Sequence, residues 1–340
     1  MRLLVSGGAG FIGSEFVRQT VATHPEDSVI VLDKLTYAGN VRNLDPVAEL
    51  PNFRFVHGDI CDPVLVDTLV KDVDAIVNFA AESHVDRSLE APGQFIQTDV
   101  YGTFVLLEAT RRAGHARFLQ VSTDEVYGDV EAGTSSESDP LRPRSPYSAS
   151  KAGAELMVWA YRASYGLPVI TTRGSNTYGP YQYPEKIIPL FITNAIDDQP
   201  LPIYGDGSAV RDYIHVSDHA RGIDTALRYG KPGEDYNVGF GGATNGLEIA
   251  DLVLGALGKP AALKQHVRDR LGHDRRYAVN TAKLSALDWQ PQISLERGLR
   301  ETVAWYGDNE AWWRPLKSGE FWEFYRRNYR PLEAEATGGL

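Results

Sequence analysis

Short apolar runs separated by longer amphipathic stretches set the rhythm of the first half of the chain. Residues 3–6, 29–32, 53–56, 75–79 and 118–121 are rich in β-branched, aromatic and aliphatic side chains, and each has the length of a strand. Several are apolar at nearly every position instead of alternating, which predicts strands covered on both faces. Helix-length segments lie between most of them. The pattern predicts an α/β fold, a Rossmann-like doubly wound parallel sheet with helices on both sides. Ligands in such sheets sit beyond the carboxyl ends of the strands, so the residues just after each run are where chemistry is expected.

Beyond about Arg173 the rhythm gives way to Gly- and Pro-rich stretches such as Leu201-Pro202-Ile203-Tyr204-Gly205, which read as loops and turns. The expected division is a dinucleotide-binding domain over 1–175, to which a segment near 206–235 returns, and a smaller mixed α/β C-terminal domain over 176–205 and 236–332. Residues 333–340 read as a flexible tail.

Composition narrows the function. The chain has 340 residues, 43% hydrophobic and 23% charged, which suits a large folded domain with a smaller partner. Lys and Arg total 34 against 45 Asp and Glu, a net charge of −11, so no general affinity for nucleic acid or an anionic membrane is expected. An anionic ligand must be held by local basic groups. Cys61 is the single cysteine; it cannot form an intramolecular disulfide, fits a reducing cytoplasm and is given no catalytic part. The opening Leu3-Leu4-Val5 run is too short for a signal-peptide core, and no apolar stretch nears membrane-spanning length. The eight histidines form no ligand-spaced cluster with Cys61, so no metal is expected.

Gly7-Gly8-Ala9-Gly10-Phe11-Ile12-Gly13 follows the first strand and opens a helix. Gly7, Gly10 and Gly13 allow a tight turn, close backbone approach to a pyrophosphate and close helix packing, while the helix N-terminus offers N–H groups and a positive dipole. A bare strand-to-helix turn is the alternative, weakened by the right context on both sides. Asp33 stands after the second strand, twenty residues past Gly13, where it can accept hydrogen bonds from ribose hydroxyls and repel a 2′-phosphate. That favours NAD over NADP. Asp59, after the third strand, is placed either to meet an adenine amino group or to form a turn.

Ser145-Pro146-Tyr147-Ser148-Ala149-Ser150-Lys151 reads as a helix start with Ser145 as cap and Pro146 in the first turn. Tyr147 and Lys151 then share one face. A phenol titrates near 10, and the expectation is that the Lys151 ammonium stabilises the phenolate and makes Tyr147 a base for a sugar hydroxyl. The strand before it ends in Thr123-Asp124-Glu125. Adjacent carboxylates are often only a solvated turn, but simple alcohol oxidation needs no further acid and base, so Asp124 and Glu125 imply additional proton chemistry.

These segments, with Asp33-Lys34-Leu35-Thr36-Tyr37-Ala38-Gly39-Asn40 and Ala80-Ala81-Glu82-Ser83-His84-Val85-Asp86-Arg87-Ser88, resemble the dTDP-glucose 4,6-dehydratase family of the extended short-chain dehydrogenase/reductase superfamily. The resemblance runs essentially from Met1 to Leu332, and Thr-Asp-Glu is its most discriminating element. It implies a lyase that oxidises carbon 4 of dTDP-glucose with NAD, eliminates water across carbons 5 and 6 and returns hydride to carbon 6. In that scheme Tyr147 is the carbon-4 base, Lys151 its partner, Thr123 a hydrogen-bonding partner of the carbon-4 oxygen, Glu125 the carbon-5 base and Asp124 the protonated acid. The cofactor contacts implied are Gly7, Gly10, Phe11, Ile12, Gly13, Asp33, Lys34, Thr36, Gly39, Asp59, Ile60, Ala80 and Ala81, with Tyr147 and Lys151.

The resemblance also implies substrate contacts at Ser83, Thr123, Asn176, Lys186, Ile187, Pro202, Tyr204, Arg211, Asn245, Arg270, His273 and Tyr277. Tyr204 would stack on the base, and Arg211 and Arg270 would grip the diphosphate with planar bidentate geometry. His84 is read as a structural histidine, and the aromatic run Trp305-Tyr306 with Trp312-Trp313 and Trp322 as C-terminal packing. Gly174 and Thr177 depart from the family pattern, which puts pocket details in question. A homodimer through helices near 102–113 and 147–165 is implied. The alternatives are a nucleotide-sugar epimerase or decarboxylase on the same scaffold, or a non-catalytic NAD-binding sensor.

Overall fold

A computed structural model of the chain describes residues 1–114, 116–269 and 273–329. Its centre is a seven-stranded parallel sheet. The strands β1 (Arg2–Ser6), β2 (Ser28–Asp33), β3 (Phe53–His57), β4 (Ala75–Asn78), β5 (Arg117–Thr123) and β6 (Val169–Gly174) are joined by an edge strand, Asp235–Val238, which pairs with β6. From that edge the order is β6-β5-β4-β1-β2-β3. The chain reverses direction of travel at β1, between β2 and β4, and the crevice this opens is where a doubly wound sheet receives its ligand.

Leu3, Leu4 and Val5 are all fully buried, as near-continuous apolar strands require. The alternation of the pleat sends Leu3 and Val5 into one layer with Phe16 of helix α1 (Phe11–Thr23). Leu4 points into the opposite layer with Ile76, Phe118 and Val66 of helix α2 (Pro63–Val70). The expected α/β architecture is therefore present, and the register is fixed by burial on both faces.

The Val216–Tyr229 helix packs Ile223 and Ala226 into the α1 layer. Leu284 and Trp289 also lie in this layer, so part of the 236–332 stretch belongs with the first sheet. The large Trp289 ring finds its space over Gly222, where a Cβ would come within 3.1 Å of it.

A second apolar cluster gathers Ile188, Phe191, Ile249, Val253, Tyr306, Trp312 and Trp313. Two-stranded parallel pairs flank it, Leu201–Tyr204 with Lys264–Val267 and Asn176–Tyr178 with Tyr213–His215. Trp305 and Trp312 pack on Tyr181 at 4.6 and 5.6 Å, and Trp312 donates to Asn43 at 3.1 Å. The aromatic run is packing, as read from the sequence. The expected tail, 333–340, lies outside the described residues. Among the described residues no helix is long and apolar enough to cross a membrane.

Candidate active site

A cavity of about 430 Å³ runs along the carboxyl ends of the strands, with the glycine turn at one end and the Thr123-Asp124-Glu125 and Tyr147–Lys151 groups in the middle. All the expected cofactor contacts line it.

The glycine turn is as close as the motif requires. Gly7 has φ 72°, and a Cβ there would lie 2.5 Å from the backbone nitrogen of Ala80; one on Gly13 would lie 2.4 Å from the Gly7 carbonyl oxygen. Only glycine fits. Gly10 begins α1 with no side-chain cap, leaving helix N-terminal amides for an anion at the cavity wall. Asp33 is buried at the end of β2; it accepts the Ala9 N–H at 2.9 Å and the Leu35 N–H at 2.8 Å, bracing the turn. Burial pushes its carboxyl up from the ordinary value. Each oxygen keeps a second lone pair for a ribose hydroxyl. Asp59 accepts the Cys61 N–H at 2.9 Å and pairs with Lys34 at 2.7 Å; against the cost of burial, those contacts hold its carboxyl low. The turn-forming reading of Asp59 is thus present in the structure. This end of the cavity fits a dinucleotide.

Ser145 and Ser148 form a reciprocal cap at the start of the Pro146–Tyr165 helix, each side-chain oxygen accepting the other's backbone N–H at 3.0 Å. The cap fixes Tyr147 and Lys151 one turn apart, facing the end of β5. Tyr147 is hydrogen-bonded to the Thr123 hydroxyl, and the Lys151 ammonium donates to the Val121 carbonyl at 2.8 Å. The expected lowering of the phenol by Lys151 is not what the site produces. Burial, then the Glu125 and Asp99 carboxylates, push Tyr147 well above 10. Burial meanwhile lowers Lys151, with Asp99 and Glu155 opposing. Burial and the surrounding carboxylates outweigh the ammonium one turn away.

Asp99 was not anticipated from the sequence. It is 1% exposed within a π-helical stretch, Ile96–Gly102, a geometry often found at functional sites. It accepts the Glu82 N–H at 2.9 Å and the Ser150 hydroxyl at 2.6 Å. Burial raises its carboxyl to about 6 despite Lys151. Nothing in the sequence marked it, since Gln97, Thr98 and Thr103 around it are polar too.

Thr123 ends β5 and caps the short turn Asp124–Tyr127. Asp124 is 2% exposed. Its Oδ1 accepts from Thr123 at 3.3 Å, and its Oδ2 has no partner among the described residues. Burial, then the Glu125 and Asp212 carboxylates, push Asp124 well above its ordinary value, which favours its protonated form. Half-buried Glu125 lies 3.5 Å from the Tyr277 hydroxyl. The two neighbouring carboxyls therefore sit in different surroundings, the condition for one to serve as acid and the other as base.

At the far end, Ser83, Asn176, Lys186, Ile187, Pro202, Tyr204, Arg211 and His273 line the cavity. Lys186 donates to the Ser83 carbonyl, and Tyr204 to Asp86 at 2.9 Å. Arg211 donates to the Val210 and Asp274 carbonyls, each at 2.8 Å, with its guanidinium 4.4 Å over the Tyr277 ring. Two expected contacts are not brought to the wall. Asn245 caps the Gly246–Leu257 helix in a reciprocal box with Glu248, accepting its N–H at 2.9 Å, and Asn-x-x-Glu was the sequence signal for that. Tyr277 stands behind Arg211 and bonds to Asp274. Arg270 lies outside the described residues. His84 caps the Val85–Glu90 helix, its Nδ1 accepting the Asp86 N–H at 3.2 Å, and also lines the cavity.

A glycine-turn sheet and a Tyr-x-x-x-Lys pair opening on one cavity define an enzyme of the short-chain dehydrogenase type. The GDP-mannose 4,6 dehydratase family model matches residues 4–302. A dTDP-glucose 4,6-dehydratase of Streptomyces niveus is 52% identical, covering 94% of this chain and 96% of the relative. The crystal structure of the dTDP-glucose 4,6-dehydratase DesIV from Streptomyces venezuelae, with NAD bound, superposes with a TM-score of 0.92 at 52% identity, over 93% of this chain and 100% of the other. A dTDP-glucose 4,6-dehydratase from Bacillus anthracis in complex with NAD gives 0.88 at 47% identity, over 93% and 100%. The chain belongs to the dTDP-glucose 4,6-dehydratase family.

Proposed function

We infer that the chain is an NAD-dependent hydro-lyase that converts dTDP-glucose to dTDP-4-keto-6-deoxyglucose. The observation that carries this reading is Asp124, a buried carboxyl whose Oδ2 has no hydrogen-bond partner among the described residues, beside Glu125 and next to Tyr147 in a single cavity. Alcohol oxidation alone leaves those two carboxyls without work.

Bound NAD supplies the hydride acceptor at carbon 4 and the hydride donor at carbon 6, and its oxidised ring adds a positive charge that favours a phenolate. Tyr147 takes the carbon-4 hydroxyl proton while Thr123 holds the carbon-4 oxygen. The hydrogen on carbon 5, now beside a carbonyl, is acidified and passes to Glu125. Asp124 protonates the departing carbon-6 hydroxyl, water leaves, and carbon 5 is reprotonated after hydride returns. Lys151 holds the helix face against β5 and supplies local positive charge. The glycine turn and Asp33 take the adenosine end of the dinucleotide, and Ser83, Asn176, Lys186, Tyr204, Arg211 and His273 take the nucleotide sugar.

We place the enzyme in the cytoplasm as a homodimer. Leu156, Trp159 and Tyr165 on the Pro146–Tyr165 helix are each more than half exposed, and Tyr101 adds to that face, an apolar patch of the kind that marks an interface. Light scattering that returned a monomer would reject the dimer.

The whole scheme is tested by following one hydrogen. Deuterium on carbon 4 of dTDP-glucose must reappear in the product methyl group, with no net NADH, and in heavy water carbon 5 must gain solvent deuterium. Mass spectrometry and proton NMR of the product read both. An epimerase returns the label to carbon 4 and a sensor moves none, so a methyl group without label sinks the reading.

A further inference from the structure

We propose that a single proton arms both ends of the reaction, residing on Asp124 when the site is ready and on Tyr147 when a turnover ends, and returning through the Thr123 hydroxyl. The inference rests on the dehydratase reading and follows from its proton balance. The carbon-4 O–H bond breaks and its proton goes to the Tyr147 phenolate. The carbon-5 proton goes to Glu125 and, directly or by exchange with solvent, is replaced there. Asp124 gives its proton to the carbon-6 oxygen as the C–O bond breaks and water departs. The hydride cancels, because the cofactor ends as it began. What remains is a protonated Tyr147 and an anionic Asp124, one proton out of place, and neither group can begin a second cycle.

The geometry supplies a path between them. The Thr123 oxygen accepts from the Glu125 backbone N–H at 3.3 Å and is hydrogen-bonded to Tyr147, while its own proton points to Asp124 Oδ1 at 3.3 Å. The hydroxyl therefore stands between Tyr147 and Asp124, with its hydrogen on the carboxyl side. The 3.3 Å contact is long for a hydroxyl and a carboxylate, as catalytic contacts in unliganded sites often are. Thr123 and Asp124 are 8% and 2% exposed, so a solvent route is hindered. Asp124 lines the cavity, and its Oδ2 lacks a partner among the described residues. A half-turn about the Cβ–Cγ bond, which breaks only the Oδ1 contact, carries the received proton from Thr123 to the cavity.

The test is rapid-quench product formation from dTDP-glucose by the NAD-loaded parent, Thr123→Ser and Thr123→Val. Product in the parent's first turnover decides the dehydratase reading by itself; the relay stands or falls on the ratio between first and later turnovers. With Val, one equivalent of product per site should form, followed by turnover slower by tenfold or more. Ser keeps a hydroxyl and should show the parent's ratio. If Val slows the first and later turnovers by a common factor, or Ser behaves as Val does, Thr123 only holds the carbon-4 oxygen and the relay is wrong.

Discussion

The His219 imidazole fills the space above Gly174: a Cβ on Gly174 would lie 2.3 Å from its Cε1. Its Nδ1 is 2.7 Å from the Thr177 hydroxyl, so the two positions that depart from the family pattern meet on one buried histidine, which burial lowers to about 4 and keeps neutral. Gly174 is also the sheet partner of Thr123. Gly174→Ala should displace His219 and cost about 1–3 kcal/mol, the usual range for overpacking. Adding His219→Ala should recover part of that loss, because the two residues share one space. Strictly additive losses in urea unfolding would show that they do not compete.

Asp99 raises Lys151 against the lowering effect of burial. Removing that charge with Asp99→Asn therefore lets Lys151 lose its proton at lower pH. The alkaline limb of the kcat profile should move down in pH, with little change on the acid side from Lys151. A limb that stays in place, in a variant that is folded by circular dichroism, would separate Asp99 from the Lys151 charge.

Tyr147→Phe keeps the ring, which sits edge-on to Phe95 at 6.3 Å, and removes the base. Substrate should still bind without any NADH absorbance appearing. Glu125→Gln should permit that absorbance and stop at the ketone. Dehydrated product formed at the parent rate by the Gln variant would take the carbon-5 base away from Glu125.

Asp33→Ala should weaken NAD binding by about 1–3 kcal/mol, the range for losing a hydrogen bond to a charged group. Asp33 holds the Ala9 N–H as well as facing the cavity, so the variant loosens the glycine turn too. Calorimetry that returned the parent affinity would remove Asp33 from the cofactor site.

The strands and the glycine turn were legible because burial on both faces writes itself as unbroken apolar runs, and close backbone contact as glycine. Tyr147 and Lys151 were legible because Ser145 and Pro146 announce the helix that carries them. Asp99 was not, since its meaning depends on a π-helical turn and on Lys151, far off in sequence. The capping part of Asn245 went unread because a residue type suited to a ligand contact is equally suited to a helix cap. For Tyr147, spacing puts an ammonium one turn away but does not show how deeply the phenol is buried or which carboxylates surround it.

The edge strand Asp235–Val238 closes the cofactor sheet only after the chain has travelled through the sugar-side segments. On a ribosome, a nascent chain that has emerged no further than β6 presents an unprotected parallel edge of Thr171 to Gly174, a template for pairing with another chain. The two halves must therefore mature together. A protein cut or separately expressed between residues 175 and 234 would yield a sheet one strand short, and split-protein complementation, not independent domain folding, is the form in which such fragments should regain NAD binding.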